Sequence, residues 1–228
     1  MTDLQSEQRP VLSFKPRRGR MTSGQRRAVE TLWPAYGIEI TGAALDPVAV
    51  FGRLAPMVLE IGFGMGEATA QMAAAEPGQD ILAVDVHTPG AGALLQRLGD
   101  AGLTNVRVAL GDAVDVLKLM IGSATLDEIR IYFPDPWPKN KHVKRRLLSP
   151  EIVALAADRL RPGGTLHVAT DWAPYAARIV TVIGGEPRLR NNFADYAPRR
   201  PQRPTTRFER IAAARGHEVF DIVATRLG

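Results

Sequence analysis

Three acids and a run of glycines in this chain fall where a ligand site would need them. LEIGFGMGEAT, residues 59–69, sets Glu60, Gly62, Gly64 and Gly66 in the order Glu-x-Gly-x-Gly-x-Gly. A glycine-rich turn between a strand and a helix lets the backbone close on a ligand at the helix N-terminus. Asp85, in the apolar run ILAVDVH, follows Gly62 by 23 positions, the spacing of the acid that takes a ribose hydroxyl in such folds. Asp112 closes the next run, NVRVALGDA, in position to meet an adenine edge. Glu60 comes from the first of these strands. Acids at the ends of three strands converge on one crevice and point to an adenosine-type ligand.

A tight turn that binds nothing is the bland reading of such glycines, and a dinucleotide is the competing ligand. Dinucleotide turns prefer a third glycine one place beyond Gly66, where this chain has Glu67. A carboxylate there repels a pyrophosphate and tolerates a sulfonium or an amine, which favours S-adenosylmethionine over NAD. The spacing resembles the first motif of class I methyltransferases. No metal is expected, because the chain has no Cys and its four His, at 87, 142, 167 and 217, lack ligand spacing.

A fourth acid stands in IRIYFPDPWPKNKHVKRRLL, residues 129–148. Asp135 follows a strand and lies between Pro134 and Pro136, so its carboxylate should be held stiffly at the same sheet edge as the others. An ordinary Asp-Pro turn is the alternative. Trp137 could stack on a base, and Lys139, Lys141, Lys144, Arg145 and Arg146 could take phosphates. The same basic run could open a helix whose charged face meets only water.

The elements that must position these residues are short runs rich in Val and Ile: MVLEIG (57–62), ILAVDVH (81–87), NVRVALGDA (105–113), EIRIYF (128–133) and GTLHVATD (164–171). Between most of them lie the Ala/Leu-rich stretches GEATAQMAAAE, TPGAGALLQRLGDAG and SPEIVALAADRLRPGG, which suit helices. Strands apolar on both faces and alternating with helices predict an α/β fold with a doubly wound, mostly parallel sheet and helices on both faces. HEVFDIVATRL can add a further strand, and TSGQRRAVETLWPAYG an early helix capped by Thr22 or Ser23 and ended by Pro34. Residues 1–20 are expected to be a flexible basic tail, and residues 21–228 a single domain with an Arg/Pro-rich substrate loop at about 186–210 that feeds a short helix.

Charge is distributed unevenly. Residues 31–138 hold 5 Lys/Arg against 13 Asp/Glu, leaving 24 against 11 in the rest of the chain. The positives gather at Lys15 to Arg27, Lys139 to Arg146 and Arg188 to Arg215, near Phe14, Trp137, Phe193, Tyr196 and Phe208. Cations interleaved with aromatics suit a nucleic acid. No apolar run is long enough to span a bilayer, and the N-terminus has no apolar signal core, so a cytoplasmic protein is expected, monomer or homodimer.

The chain resembles the bacterial tRNA (guanine-N7-)-methyltransferases. The stretches that carry the likeness are RRGRMTSGQ (17–25), LEIGFGMGEAT (59–69), VDVHTPGAGALL (84–95), YFPDPWPKNKHVKRRL (132–147), HVATDWAPYA (167–176) and RPTTRFERIAAARGHEVFDI (203–222). The resemblance implies that Glu60, Asp85 and Asp112 contact S-adenosylmethionine, and that Asp135 lies where cofactor and target base meet. It also implies that Lys139, Asp171, Thr206, Arg207, Phe208 and Glu209 bind tRNA, with a variable-loop guanine as the target. Asp85 stands where Glu is frequent and Arg207 where Lys is common, and both keep the charge. Guanine N7 has a free lone pair at neutral pH, so no general base is needed. Asp135, assisted by Asp171, is expected to hold the Watson–Crick edge and favour the cation formed. A methyltransferase of another RNA or of a small molecule, or a non-catalytic RNA-binding module, are the competing readings.

Overall fold

The computed structural model describes residues 19–228. Most of the expected tail, with Phe14 and the basic residues before Gly19, lies outside the described residues. Helix α1 (Ser23–Tyr36) opens on a capping box in which Thr22 and Gln25 each accept the other's backbone N–H. Pro34 does not end it. The missing N–H falls in the last turn, and the helix closes on Gly37, whose N–H reaches the Trp33 carbonyl.

The chain continues through β1 (Gly37–Ile38), α2 (Pro47–Phe51), β2 (Met57–Ile61), α3 (Glu67–Ala75), β3 (Asp80–Asp85), α4 (Thr88–Ala101) and β4 (Val106–Leu110). A short α5 (Ala113–Asp115) runs into a π-helical turn at Val116–Met120. Then come β5 (Leu126–Tyr132), a 3₁₀ turn (Asn140–Arg145), α6 (Pro150–Arg159), β6 (Leu160–Thr170) and α7 (Ala173–Gly184). The chain ends with β7 (Leu189–Asn191), α8 (Arg207–Ala214) and β8 (Phe220–Arg226).

The sheet order is β1-β4-β3-β2-β5-β6-β8-β7. Strands β1 to β6 pair in parallel, and β8 runs antiparallel to β6 and β7. Connections leave β2 toward β3 on one side, and β5 takes the other side, so the crevice opens at the carboxyl ends of β2 and β5.

The two faces differ in chemistry. Leu59, Ile61, Ile129, Ile131, Leu166 and Val168 face the helices α6 and α7 in one apolar core. On the other face Val58, Ile81, Ala83, Val106 and Val108 pack under α1 and α4. Beyond β2 that second face turns polar, because Glu128, Arg130, His167 and Asp221 occupy the alternate positions of β5, β6 and β8 and are all buried. Strand β5 is therefore apolar on one face only, not on both. The Arg/Pro-rich loop covers this polar face with charge of its own: Arg200 reaches Glu128 at 2.8 Å, and Arg203 reaches Asp221 at 3.0 Å.

Candidate active site

The cleft at the switch point is walled by the glycine turn, the ends of β3 and β4, the segment Ile131–Asp135, Leu147 and Phe208. Gly62 and Gly64 take left-handed φ of +85° and +59°, and no atom lies within 4 Å of where a side chain would start on either. Their bare backbone leaves a cradle for a ligand. Asp85 holds that cradle: one carboxylate oxygen accepts the Gly64 N–H at 2.8 Å, the other the His87 N–H at 3.0 Å. Asp112 caps α5 by accepting the Val114 N–H at 2.9 Å, and it too lines the cleft. Burial raises its carboxyl above the ordinary range, and the Val114 N–H offsets part of this.

Glu60 is placed differently from the other acids. It is absent from the cleft wall, sits 3% exposed on the α3 side of β2, and its Oε2 has no hydrogen-bond partner. Burial pushes its carboxyl up to about 7, against a favourable Thr69 hydroxyl and the Arg130 guanidinium. Because the folded value exceeds the ordinary 4.5, the native chain holds the proton more tightly. Stability from this group is then full below the unfolded value and is lost as the pH rises through the folded one. Glu60→Gln should leave stability nearly unchanged at about pH 4 and raise it at about pH 8 by up to roughly 3 kcal/mol. Calorimetric melts at the two pH values test this, and equal effects at both would refute it.

The Pro-Asp-Pro turn is held on both sides by strained backbone. Phe133 and Trp137 adopt left-handed φ of +54° and +42°, each at about 1–3 kcal/mol for a residue with a side chain. The surroundings secure the turn: the Phe133 N–H bonds the Ala169 carbonyl at 2.7 Å, and Arg146 Nε bonds the Pro136 carbonyl at 2.8 Å. Asp135 lines the cleft, and its charge acts on the buried Tyr175, over whose ring Arg146 lies at 4.9 Å.

Two expectations for this segment are corrected. Trp137 is only 5% exposed and cannot stack on a base. It is an anchor instead, with His142 edge-on at 5.5 Å and Arg145 over its ring at 5.1 Å. The basic run forms a 3₁₀ turn, after which Arg146 secures the loop, while Lys139, Lys141, Lys144 and Arg145 stay exposed.

Of the late block, Phe208 alone lines the cleft; it is 49% exposed and stacks on Phe133 at 6.0 Å. Arg207 is exposed beside it. Thr206 caps α8 by accepting the Glu209 N–H at 3.1 Å, and Glu209 takes Arg199 and Arg203, both at 2.7 Å. Burial alone would raise the Glu209 carboxyl, but those two guanidinium groups hold it below its ordinary range. Asp171 follows β6 at the same sheet edge, half-buried, 3.9 Å from the His217 ring. Lys139, four positions after Asp135, caps the 3₁₀ turn and is exposed. Among the described residues no group of three His, Cys, Asp or Glu could hold a metal.

Sequence reasoning missed Gly90 and Tyr132. Gly90, in the first turn of α4, lies so close to the glycine turn that a Cβ there would stand 1.9 Å from the Gly64 carbonyl oxygen. Tyr132 lines the cleft, and its side chain turns to the polar face, where its hydroxyl meets His167 Nδ1 at 3.0 Å. A glycine inside a predicted helix was the only available signal for the first, and nothing marked the second.

A mostly parallel sheet with this switch-point cradle is a Rossmann-like fold. The crystal structure of the 16S rRNA methyltransferase KamB aligns with a TM-score of 0.56 at 18% identity, over 79% of this chain and 94% of its own. A structure described as an antibiotic-related methyltransferase gives 0.56 at 16% identity, over 82% and 98%. A methyltransferase family model matches residues 54–222. The likeness in sequence is closer still. The tRNA (guanine-N(7)-)-methyltransferase of Streptomyces avermitilis is 53% identical over 222 residues, 96% of this chain and 77% of that protein. Its counterpart in Nitrosospira multiformis is 52% identical over 218 residues, 96% and 95% of the two chains. The chain belongs to the tRNA (guanine-N(7)-)-methyltransferase family.

Proposed function

We infer that the protein transfers a methyl group from S-adenosylmethionine to N7 of a guanine in tRNA, and that this guanine lies in the variable loop. The observation that carries the reading is the meeting, at one sheet edge, of an open glycine cradle with acids beside it and a rigid turn that presents Asp135 next to exposed lysines. Gly62, Gly64, Asp85 and Asp112 would hold the cofactor, with Glu60 behind them as a buried acid. When bound, S-adenosylmethionine supplies the sulfonium methyl group.

Guanine N7 carries its lone pair at neutral pH, so no side chain has to remove a proton before transfer. What remains for the protein is positioning and charge. Asp135 accepts the N1 and N2 hydrogens of the guanine edge, leaves N7 open, and favours the cation that the alkylated ring becomes. Asp171 assists from the end of β6. Arg207 and Phe208 face the RNA from α8, and Lys139, Lys141 and Lys144 take its phosphates. No helix among the described residues is long and apolar enough to cross a membrane, and we place the protein with its RNA in the cytoplasm.

Changing Lys139, Lys141 and Lys144 together to Gln should reduce the slope of log affinity for tRNA against log salt by roughly 2 to 3 units. Filter binding between low and moderate salt measures it, and an unchanged slope would remove the lysines from the interface. Arg146→Gln, by contrast, should lower turnover and leave the slope in place, since Arg146 braces the Pro136 carbonyl.

The decisive experiment incubates the protein with labelled S-adenosylmethionine and unmodified tRNA, then maps label by cleavage at 7-methylguanine. Label at one variable-loop guanine, lost in Asp135→Ala, is the expected result. Transfer to a small molecule, insensitive to salt, would replace the substrate, and cofactor binding without transfer to any RNA would leave a binding module.

A further inference from the structure

The polar face under the Arg/Pro-rich loop is a connected network, and its centre is Arg203. Its side chain is 1% exposed. Nε and Nη2 donate to the two oxygens of Asp221, both at 3.0 Å, in a forked pair. Nη1 and Nη2 donate to the two oxygens of Glu209, at 2.7 and 3.2 Å. The guanidinium also lies over the rings of Tyr132 at 5.8 Å and Phe133 at 6.0 Å. One side chain thus joins β8, the first turn of α8 and the end of β5.

Apart from Arg203, helix α8 is tied by Arg199, itself 39% exposed, to Glu209 at 2.7 Å and by Phe208 stacked on Phe133 at 6.0 Å. Its one buried residue is Ala212, and its exposed link to α3 is the Arg210–Glu67 pair at 3.3 Å, of a kind that contributes little. Yet α8 carries Phe208, the outer wall of the cleft. The far side of Asp221 is fixed as well, by His167 Nε2 at 2.7 Å. Burial keeps the His167 ring largely neutral, so one nitrogen donates to Asp221 and the other accepts the Tyr132 hydroxyl.

We propose that Arg203 is a positioning residue for methyl transfer, clasping the first turn of α8 to the sheet through Glu209 and Asp221 and so fixing Phe208 over the cleft. This role presupposes the methyl-transfer reading of that cleft. It predicts that the clasp matters when RNA is bound and the reacting groups must be aligned, and hardly at all for the glycine cradle, which Asp85 and α4 hold separately.

The test compares wild type, Arg203→Met and Arg203→Lys in the full chain. At saturating tRNA and cofactor, kcat of Arg203→Met should fall by roughly 10- to 100-fold, the scale of misplacing reacting groups by up to about 1 Å. The calorimetric Kd for S-adenosylhomocysteine should stay near wild type, and Arg203→Lys should recover part of kcat. Hydrogen exchange of residues 207–214 should rise in Arg203→Met while β2 to β5 stay protected. Unchanged kcat with unchanged exchange would overturn the clasp, as would a parallel loss of cofactor affinity without rescue by Lys. If Arg203→Met does not fold, Glu209→Gln weakens the α8 arm, which Arg199 shares, and Arg199→Met is its control: exchange of residues 207–214 must rise more in Glu209→Gln than in Arg199→Met, or the clasp fails. Should wild type methylate no tRNA, the substrate reading falls, and the exchange comparison still decides whether Arg203 holds α8.

Discussion

Asp135→Asn should retain binding of S-adenosylhomocysteine and lose roughly 10²- to 10³-fold in the rate of methyl transfer, the range found when one preorganised electrostatic partner is removed from a reacting centre. The substitution keeps the shape of the side chain and removes its charge. Pro134 and Pro136, the left-handed Phe133 and Trp137, and the Arg146 bond to the Pro136 carbonyl stay in place, so the backbone delivers the amide where the carboxylate stood. Two properties are lost together. An amide offers one acceptor and a donor to a guanine edge that presents two donors, and it has no charge to favour the alkylated ring. Single-turnover transfer to tRNA, alongside calorimetry with S-adenosylhomocysteine, separates the chemical step from cofactor uptake. A variant with near-normal single-turnover rate would exclude Asp135 from the reaction, and a variant that lost cofactor affinity in proportion to rate would make it a cofactor ligand only.

The parts of this site legible in the sequence are those that local chemistry dictates. Left-handed backbone after a strand demands glycine, so Gly62 and Gly64 announce the cradle. Two prolines around one acid announce a stiff turn at Asp135. Runs of Val and Ile between helical stretches give the central strands β2 to β6. Long-range partnership is what local chemistry cannot show. Trp137 looks like a stacking platform next to lysines until packing places His142 and Arg145 against it and buries it. Glu128 and Arg130 lie in a strand that passes for continuously apolar; their burial is made tolerable by their own pairing, by Glu76 and Gln79 reaching Arg130, and by Arg200 returning to Glu128 from a loop some seventy positions later. Neither the edge strand β7, three residues long, nor the π-helical turn at Val116–Met120 has a signal that composition could separate from loop or helix.

Gly90 shows how far such a partnership can reach, and Gly90→Ala should weaken cofactor binding by roughly 100-fold, the upper end of what losing hydrogen bonds to a carboxylate implies. An added Cβ would stand 1.9 Å from the Gly64 carbonyl oxygen and 3.0 Å from its carbon, so backbone must move. Helix α4 cannot retreat, because Ala91, Leu94, Leu95 and Leu98 are fully buried in the core beneath it. The glycine turn is the element that yields. Its displacement pulls the Gly64 N–H from Asp85, whose other oxygen binds the His87 N–H at the start of the same helix, and the cradle loses both its shape and its brace. Overpacking of this kind should also lower stability by about 1–3 kcal/mol. Gly184→Ala is the matched control: that glycine ends α7 with open space around its Cβ position, so the change there should be neutral or slightly stabilising. Calorimetric titration with S-adenosylhomocysteine on both variants, with melts of each, gives the comparison. Wild-type affinity in Gly90→Ala would mean that the turn and α4 move independently, and that Asp85 alone sets the cradle.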